Sequence, residues 1–474
     1  MNLVVSQSIA ILPWIFGIFL LYMIMPKYFK INRGFACLMI GAAFLVGYLG
    51  LAAQIWLLDQ LNFNPISLVL LATTSIVFVM FFIMKSFLNK EILETPKITS
   101  ESFYNPIFIF TLSFSLIIIS YAVHEHFLWP ATSWDTVWFW ALNANEFLRH
   151  IESAKDVTPF TLEGPHPRTL VYIMAWGGWS AAIGEPLRLA PLIPWLHLYL
   201  ATAVSILGFF LWKTESLTIS MVFTYIFLST PLVEAHTILA GYADLWLAFP
   251  VFLSIIFFCE YYKAKDKKLL LLALTIAAIP ISIKGVGYVY SIALFGIFLL
   301  TPIVNIWNRP ITITFFGLLF LSIFSLNLFN IDITLLGDRF AILPETGQIV
   351  AGGREMAFSA NAWSTVFYNL YIALFFKNSF GIVFFIITAS YLYLISLLIF
   401  KNKTEFFSQI ALFTLLSCLI IAALRYTDYF FSFSFPGGDT SLSRGCMIIF
   451  LLGFSLIANA ISELSKLEKL DSQN

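Results

Sequence analysis

The chain has 474 residues, of which 60% are apolar, 18% are aromatic and only 11% are charged. A soluble domain carries about a quarter charged residues, so the composition excludes an ordinary soluble enzyme and predicts an integral membrane protein. The formal net charge is zero, and no basic run or zinc-type Cys/His spacing predicts a nucleic-acid partner.

Thirteen apolar runs approach the roughly 20 residues that a membrane-spanning helix needs. We therefore predict an all-α polytopic protein with about 13 transmembrane helices. The predicted spans are residues 8–25, 35–57, 66–84, 105–122, 190–211, 216–232, 240–261, 268–283, 286–302, 311–329, 379–400, 407–423 and 443–462.

Lysine and arginine predict the orientation, because short cytoplasmic loops are enriched in both. With the N-terminus outside and the C-terminus inside, the inner loops hold 16 of the 26 basic residues. Three outer segments are long, about 123–189, 330–378 and 424–442, and their mixed composition predicts ordered structure. Within the first, the run 169–187 contains Gly177, Gly178 and Ser180 and is predicted to be an interfacial helix rather than a span.

The sequence from Ser133 to Glu146 follows a predicted span and places Asp135 close to three tryptophans. It predicts an amphipathic helix at 134–149, in which Ser133 or Asp135 is the N-cap and Trp134, Trp138 and Trp140 are interfacial anchors. A carboxylate at an outer surface can also act as a general base on an acceptor hydroxyl. Capping and catalysis are compatible, so both interpretations of Asp135 stay open.

His166 and Arg168 precede the predicted interfacial helix. An imidazole and a guanidinium at a helix N-terminus suit a phosphate, because the backbone N–H groups there add to the positive field. The structural alternatives are ordinary: Pro167 is a common residue at a helix start, and Arg168 can extend to lipid headgroups.

Glu234, His236, Tyr242 and Asp244 form a polar group in a tight outer turn between two predicted spans. Asp244 opens the second span, so it is expected to cap that helix whatever else it does. Four polar residues in one turn of an otherwise apolar chain favour a polar cavity, and a purely structural role stays open.

Lys284 is the charge most enclosed by apolar sequence, and Arg444 begins the last span from the outside. An ionisable residue near the membrane interior is a functional candidate, although a lysine can also extend to the interface. A secondary transporter would carry polar sites near the midplane. The charges here lie at the outer ends of spans instead, which favours an enzyme with a cavity at the outer leaflet.

Several short motifs resemble the GT-C superfamily of membrane glycosyltransferases, which use polyprenyl-phosphate-linked sugars. Trp134-Asp135 with Trp140-Ala141-Leu142-Asn143-Ala144 is similar to the family's first extracytoplasmic loop. His166-Pro167-Arg168-Thr169-Leu170 resembles its His-Pro-Pro-Leu motif, with Arg168 in place of the second proline and Thr169 as an extra residue.

Later motifs of the same family also have counterparts here. Gly241-Tyr242-Ala243-Asp244 resembles a Gly-Tyr-Ala-Asp turn of some bacterial members. Lys284-Gly285-Val286-Gly287 is similar to Lys-Asn-Glu-Gly, and Ser441-Leu442-Ser443-Arg444 to Ser-Leu-Asp-Arg, each without the family's acid. The resemblance covers roughly 105–462, so residues 1–104 are expected to be a three-span N-terminal addition and 105–474 the catalytic module.

The resemblance implies an inverting sugar transfer on the outer face of a bacterial cytoplasmic (inner) membrane, with a glycan, lipid or protein acceptor. Asp135 would be the base, and Lys284, Arg444 and Arg168 would hold the donor phosphate. His166, His236 and Trp134 are further substrate-binding candidates. Some relatives need a divalent cation such as Mg²⁺ or Mn²⁺, for which Asp135, Glu146 and Asp244 could supply oxygen ligands.

Three alternatives remain open at this point. The first is a polysaccharide ligase or polymerase with a lipid-diphosphate donor, which would need more cationic residues in one outer loop. The second is a lipid or glycan transporter, with polar residues along a path through both leaflets. The third is an inactive GT-C-shaped scaffold, because the acids after Lys284 and before Arg444 are missing.

Overall fold

The computed structural model of the chain describes residues 9–61, 65–88, 104–128, 140–153, 167–182, 193–238, 242–304, 314, 316–319, 321, 330–335, 338–351, 354–358, 361–376, 380–426 and 440–471. Contacts between residues divide the chain into two units. Unit 1 is residues 1–164 and 168–242, and unit 2 is residues 165–167 and 243–474. This division concerns packing, and the predicted N-terminal addition at 1–104 stays a prediction.

Unit 1 is helical throughout its described part. Its helices are α1 (Leu12–Ile24), α2 (Pro26–Ile31), α3 (Arg33–Gln60), α4 (Pro65–Leu88), α5 (Pro106–Leu128), α6 (Ala141–Ser153), α7 (Thr169–Ala182), α8 (Ile193–Thr214), α9 (Leu217–Leu228) and α10 (Pro231–Ile238).

Small residues let the central helices of unit 1 approach closely. A methyl group at Gly41 of α3 would overlap the Ser205 hydroxyl of α8, and one at Gly208 of α8 would overlap the backbone of α3 at Gly34. Glycine and serine at such crossings allow the backbone-to-backbone packing that replaces the hydrophobic effect between helices in lipid. These contacts hold α3 and α8 together at the centre of the unit.

Unit 2 combines helices with one small sheet. Its elements are α11 (Asp244–Ala264), α12 (Lys267–Ile283), α13 (Gly287–Val304), β1 (Ile331–Leu335), β2 (Asp338–Leu343), β3 (Gln348–Ala351), β4 (Arg354–Ala357), α14 (Trp363–Tyr371), α15 (Val383–Lys401), α16 (Phe407–Tyr426), α17 (Thr440–Gly445) and α18 (Met447–Asp471). The strands form an antiparallel meander in the order β1-β2-β3-β4.

The two ends of unit 2 differ in chemistry. At one end, Lys263 pairs with Glu405 at 3.2 Å and Lys403 pairs with Glu463 at 3.2 Å, which ties together the ends of α11, α15, α16 and α18. At the other end, Ile349 of the sheet packs on the last turns of α16. The first end carries lysines that the charge bias assigns to the cytoplasm. We call it the basic end, and the opposite one the sheet end.

Seven described helices are long and apolar enough to cross a membrane, as expected for a multi-pass membrane protein. They are Arg33–Gln60, Pro106–His126, Ile193–Thr214, Asp244–Ala264, Val383–Lys401, Thr404–Tyr426 and Met447–Glu468. The pair α9 and α10, bent by 61°, brings the number to eight if it forms one span. The structure therefore confirms the class of an all-α polytopic protein, while the number of 13 spans stays a prediction.

Three features differ from the sequence-based expectations. The predicted outer segment 330–378 contains the four-stranded sheet, which was not predicted. The predicted turn around Glu234 and His236 is the helix α10. Helix α7 forms within the predicted run 169–187, yet its residues 170–178 are all buried. An interfacial helix would expose a polar face to water, so the described part of α7 is instead packed in protein.

Candidate functional site

Six of the nine predicted site residues are described. Trp134, Asp135 and His166 lie outside the described residues, so their predicted roles stay predictions. The other six are Glu146, Arg168, His236, Asp244, Lys284 and Arg444. Glu146, Arg168 and His236 belong to unit 1, and Asp244, Lys284 and Arg444 belong to unit 2.

Asp244 and Arg444 form an ion pair. The Arg444 Nε donates to the Asp244 Oδ2 at 2.7 Å, and both side chains are largely shielded from solvent, with 14% exposed for Asp244 and 16% for Arg444. Asp244 is the first residue of α11, where the helix dipole favours a negative charge. Arg444 lies in α17, immediately before α18 packs along α11. The pair therefore fastens the starts of two neighbouring spans.

Lys284 lies in the short turn that joins α12 to α13. The turn is tight, because the Gly287 N–H donates to the Lys284 carbonyl at 2.7 Å and a methyl group at Gly287 would overlap the Pro280 carbonyl oxygen. Among the described residues, the Lys284 ammonium makes no ion pair or hydrogen bond, and its side chain is half-buried. A lysine in such a setting can accept an anionic ligand without breaking an internal contact.

Asp244, Lys284 and Arg444 share the sheet end of unit 2. Helices α11 and α12 are antiparallel neighbours joined at 265–266, so the start of α11 and the end of α12 lie at the same end. The ion pair adds the start of α18 to that end. One carboxylate and two cations thus gather at the end opposite the lysine-rich one, and this is the candidate site.

His236 is a buried residue of unit 1. The residue is 2% exposed, its Nδ1 lies 2.7 Å from the Leu232 carbonyl oxygen, and its ring centroid is 5.1 Å from that of Tyr242. The Tyr242 carbonyl in turn accepts from the Trp195 Nε1 at 2.8 Å. These contacts give His236 a packing role in the described structure, and its predicted contact with substrate stays a prediction.

Arg168 precedes α7 and lies beside the buried Tyr172 hydroxyl. Burial raises the pKa of Tyr172, the Arg168 guanidinium opposes this rise, and the Asp59 carboxylate adds to it. Asp59, at the end of α3, is 5% exposed. The sequence analysis did not single out Asp59 or Tyr172, although an acid closing a long apolar run is a signal that would have found Asp59.

Glu146 is exposed on α6. The opposite face of that helix is buried through Ala144, Phe147 and Leu148, which confirms an amphipathic helix there. The described helix begins at Ala141, and the predicted residues 134–139 lie outside the described part.

Two other buried histidines of unit 1, His126 and His197, were not predicted. The His197 Nδ1 lies 2.8 Å from the Tyr48 hydroxyl, and the His126 Nδ1 lies 2.9 Å from the Thr237 carbonyl oxygen. Both histidines lie within or at the ends of apolar runs, where a buried polar side chain needs a hydrogen-bond partner. Their partners lie more than 100 residues away along the chain, so the sequence gives no local sign of either pair.

The described residues contain no group of three or more His, Cys, Asp or Glu side chains that could hold a metal ion. Asp135 lies outside them, so the predicted divalent cation stays a prediction. Comparison with protein-family models, curated proteins and solved structures found no match to this chain.

Proposed function

We propose that this protein is a membrane glycosyltransferase that moves a sugar from a polyprenyl-phosphate donor to an acceptor hydroxyl. The reaction takes place on the outer face of a bacterial cytoplasmic membrane, in a chain of 13 spans with its N-terminus outside. The observation that carries the proposal is the Asp244–Arg444 pair with Lys284 at the same end of unit 2. No family or structural match contributes to it.

The cations at the sheet end have the chemistry to bind a phosphate. Lys284 supplies an ammonium that is free of described partners, and Arg444 supplies a guanidinium whose Nε donates to Asp244. Asp244 holds the guanidinium in place, which makes Asp244 better suited as a counter-ion than as the catalytic base. Fixed cations in a water-poor site stabilise the charge that develops on a leaving phosphate.

The position of this end relative to the membrane supports an outer-face reaction. Lys263 and Lys403 lie at the basic end of unit 2, where the positive-inside bias predicts the cytoplasm. Asp244, Lys284 and Arg444 lie at the opposite end. A polyprenyl-phosphate sugar that has reached the outer leaflet would meet its phosphate-binding residues there.

Asp135 stays the proposed base, on the sequence resemblance alone. It would take the proton of the acceptor hydroxyl while the acceptor oxygen bonds to the anomeric carbon. The bond between that carbon and the phosphate oxygen breaks in the same step, and polyprenyl phosphate leaves. Direct displacement inverts the anomeric centre. Asp244 and Glu146 are the alternative carboxylates.

The test is sugar transfer by the purified protein in detergent or vesicles, with a panel of polyprenyl-phosphate sugars. We expect transfer by the wild type, loss with Asp135→Asn, and a loss of about 10²-fold with Lys284→Met, as for other groups that stabilise a developing charge. Arg339→Met is the control, because it also replaces a cation of unit 2 with methionine, but at an exposed position on the β1–β2 hairpin. Its activity should equal that of the wild type.

The alternatives give different results in the same assay. Transfer that occurs only from diphosphate-linked donors would identify a ligase or polymerase. No transfer from any donor, together with movement of a labelled lipid across the vesicle membrane, would identify a transporter. Transfer that persists in Asp135→Asn but is lost in Glu146→Gln would move the base to Glu146.

A further inference from the structure

Helix α14 presents an aromatic face that no described element covers. Phe367 is 50% exposed, Tyr368 65% and Tyr371 48%. With Ser364 they form one side of the helix, while Val366 on the other side is buried. The sequence from 361 to 376 contains no charged residue. Three aromatic side chains on one uncharged face are unusual for a helix in water and typical of the membrane–water boundary.

The start of α14 is fixed at the end of one candidate span. The Asn361 N–H donates to the Arg425 carbonyl at 2.9 Å, the Asn361 Nδ2 donates to the Leu424 carbonyl at 2.9 Å, and Arg425 donates back to the Asn361 carbonyl. The Arg425 guanidinium also lies 5.1 Å from the ring centroid of Trp363. Arg425 is in the last turn of α16, so α14 begins at the sheet end of that span.

The other end of α14 leads to the start of the neighbouring span. A π-helical segment, Ile372–Phe376, follows α14, and within it the ring of Phe375 lies 4.6 Å from that of Phe385 in α15. Phe385 is 49% exposed, as are other outward residues of α15 such as Leu392 at 59%. The aromatic face of α14 is therefore continuous with the outward apolar surface of a candidate span.

Both ends of α14 thus lie at one end of the membrane-spanning helices. Helices α15 and α16 are joined by a short link at 402–406, so the start of α15 and the end of α16 lie on the same side. A nine-residue helix spans about 13 Å. We propose that α14 lies along the outer face of the membrane that the protein spans, with Phe367, Tyr368 and Tyr371 among the lipid headgroups and upper acyl chains. It anchors the sheet of unit 2 to the bilayer.

The proposal is tested on the full chain in phosphatidylethanolamine/phosphatidylglycerol vesicles. The photoreactive residue p-benzoylphenylalanine replaces Tyr368 in one variant and Thr346, in the exposed turn between β2 and β3, in another. We expect lipid adducts, detected by mass, at position 368 and none at position 346. Both variants keep the four native cysteines and replace an exposed residue, so they are expected to fold like the wild type.

A second measurement gives the depth. Spin labels at Phe367→Cys and Tyr371→Cys, in a background without the four native cysteines, should show a depth of about 5–10 Å below the headgroup boundary, while a label at Thr346→Cys should be accessible to water. If position 368 gives no lipid adduct and the labels are as accessible to water as position 346, the proposal is wrong. Adducts to a second copy of the chain would also overturn it and make this face a dimer contact.

Discussion

The Arg444 guanidinium donates to the Asp244 carboxylate at 2.7 Å, although 200 residues separate the two along the chain. Both side chains are mostly shielded from solvent, so each charge depends on the other. The pair fastens the starts of α11 and α18 and places one negative and one positive charge at the same end of unit 2 as the Lys284 turn.

The ion pair predicts non-additive effects on stability. Arg444→Ala leaves the Asp244 carboxylate shielded without its main partner, and we expect a loss of about 3 kcal/mol, the lower end of the range for broken buried pairs, because both residues keep some exposure. Asp244→Asn should cost a similar amount, and the double variant should cost clearly less than the sum. The measurement is chemical unfolding in detergent. Additive losses would mean that the pair does not couple.

Gly287 is predicted to tolerate no side chain. A methyl group there would overlap the Pro280 carbonyl oxygen, so Gly287→Ala must open the turn that holds Lys284, at a cost of about 1–3 kcal/mol. Gly296→Ala is the matched control in the same helix, because nothing lies within 4 Å of the added methyl group. That change should stabilise α13 by up to about 1 kcal/mol. Equal thermal shifts for the two variants would contradict the structure of the turn.

The Tyr48 hydroxyl is predicted to stabilise the centre of unit 1. It lies 2.8 Å from the His197 Nδ1 and donates to the Ala10 carbonyl at 2.8 Å. Tyr48→Phe removes both contacts while keeping the ring, and leaving buried polar groups unsatisfied costs about 1–3 kcal/mol. Tyr225→Phe on α9 is the control, since its hydroxyl has no hydrogen bond among the described residues. A thermal unfolding midpoint unchanged in both variants would contradict the role given to Tyr48.

Tyr172 predicts part of the response to alkaline pH. Burial raises its pKa in the folded state, against the opposing effect of Arg168. The folded chain therefore keeps this proton after the unfolded chain has lost it. The contribution of Tyr172 to the free energy of unfolding is complete below about pH 10 and is lost as the pH rises beyond that value. Tyr172→Phe should flatten the fall in stability between about pH 9 and 11. The measurement is unfolding in detergent across this pH range, and an unchanged slope would contradict the burial of the Tyr172 hydroxyl.

The sequence predicted the positions of the helices better than the contacts between them. The apolar runs located each of the seven long helices, because a span must bury its backbone within one continuous helix and so leaves a local pattern. The α9–α10 pair was predicted as one span to 232 followed by a turn, and its bend of 61° was missed. A bend depends on contacts with neighbouring helices, and the sequence of one apolar run contains no information about those contacts.

The sheet could have been predicted. Residues 331–335 read Ile-Asp-Ile-Thr-Leu, an alternation typical of a half-buried strand, and Pro344 to Gly347 carries turn residues before β3.

The candidate site was predicted in part. Asp244, Lys284 and Arg444 were each selected, but their separation along the chain concealed that Asp244 and Arg444 form an ion pair.

The Asp244–Arg444 pair also sets the charge balance of the proposed reaction. The two opposite charges cancel, so together with Lys284 they sum to a single positive charge. A sugar joined to a polyprenyl phosphate carries one negative charge on its phosphodiester, and the three residues with that donor are electroneutral. Transfer converts the phosphodiester to a monoester whose second pKa is about 6. The lipid product therefore carries more negative charge than the donor. Lys284 would bind this product more tightly than the donor, so it would slow the release of the product and not its formation.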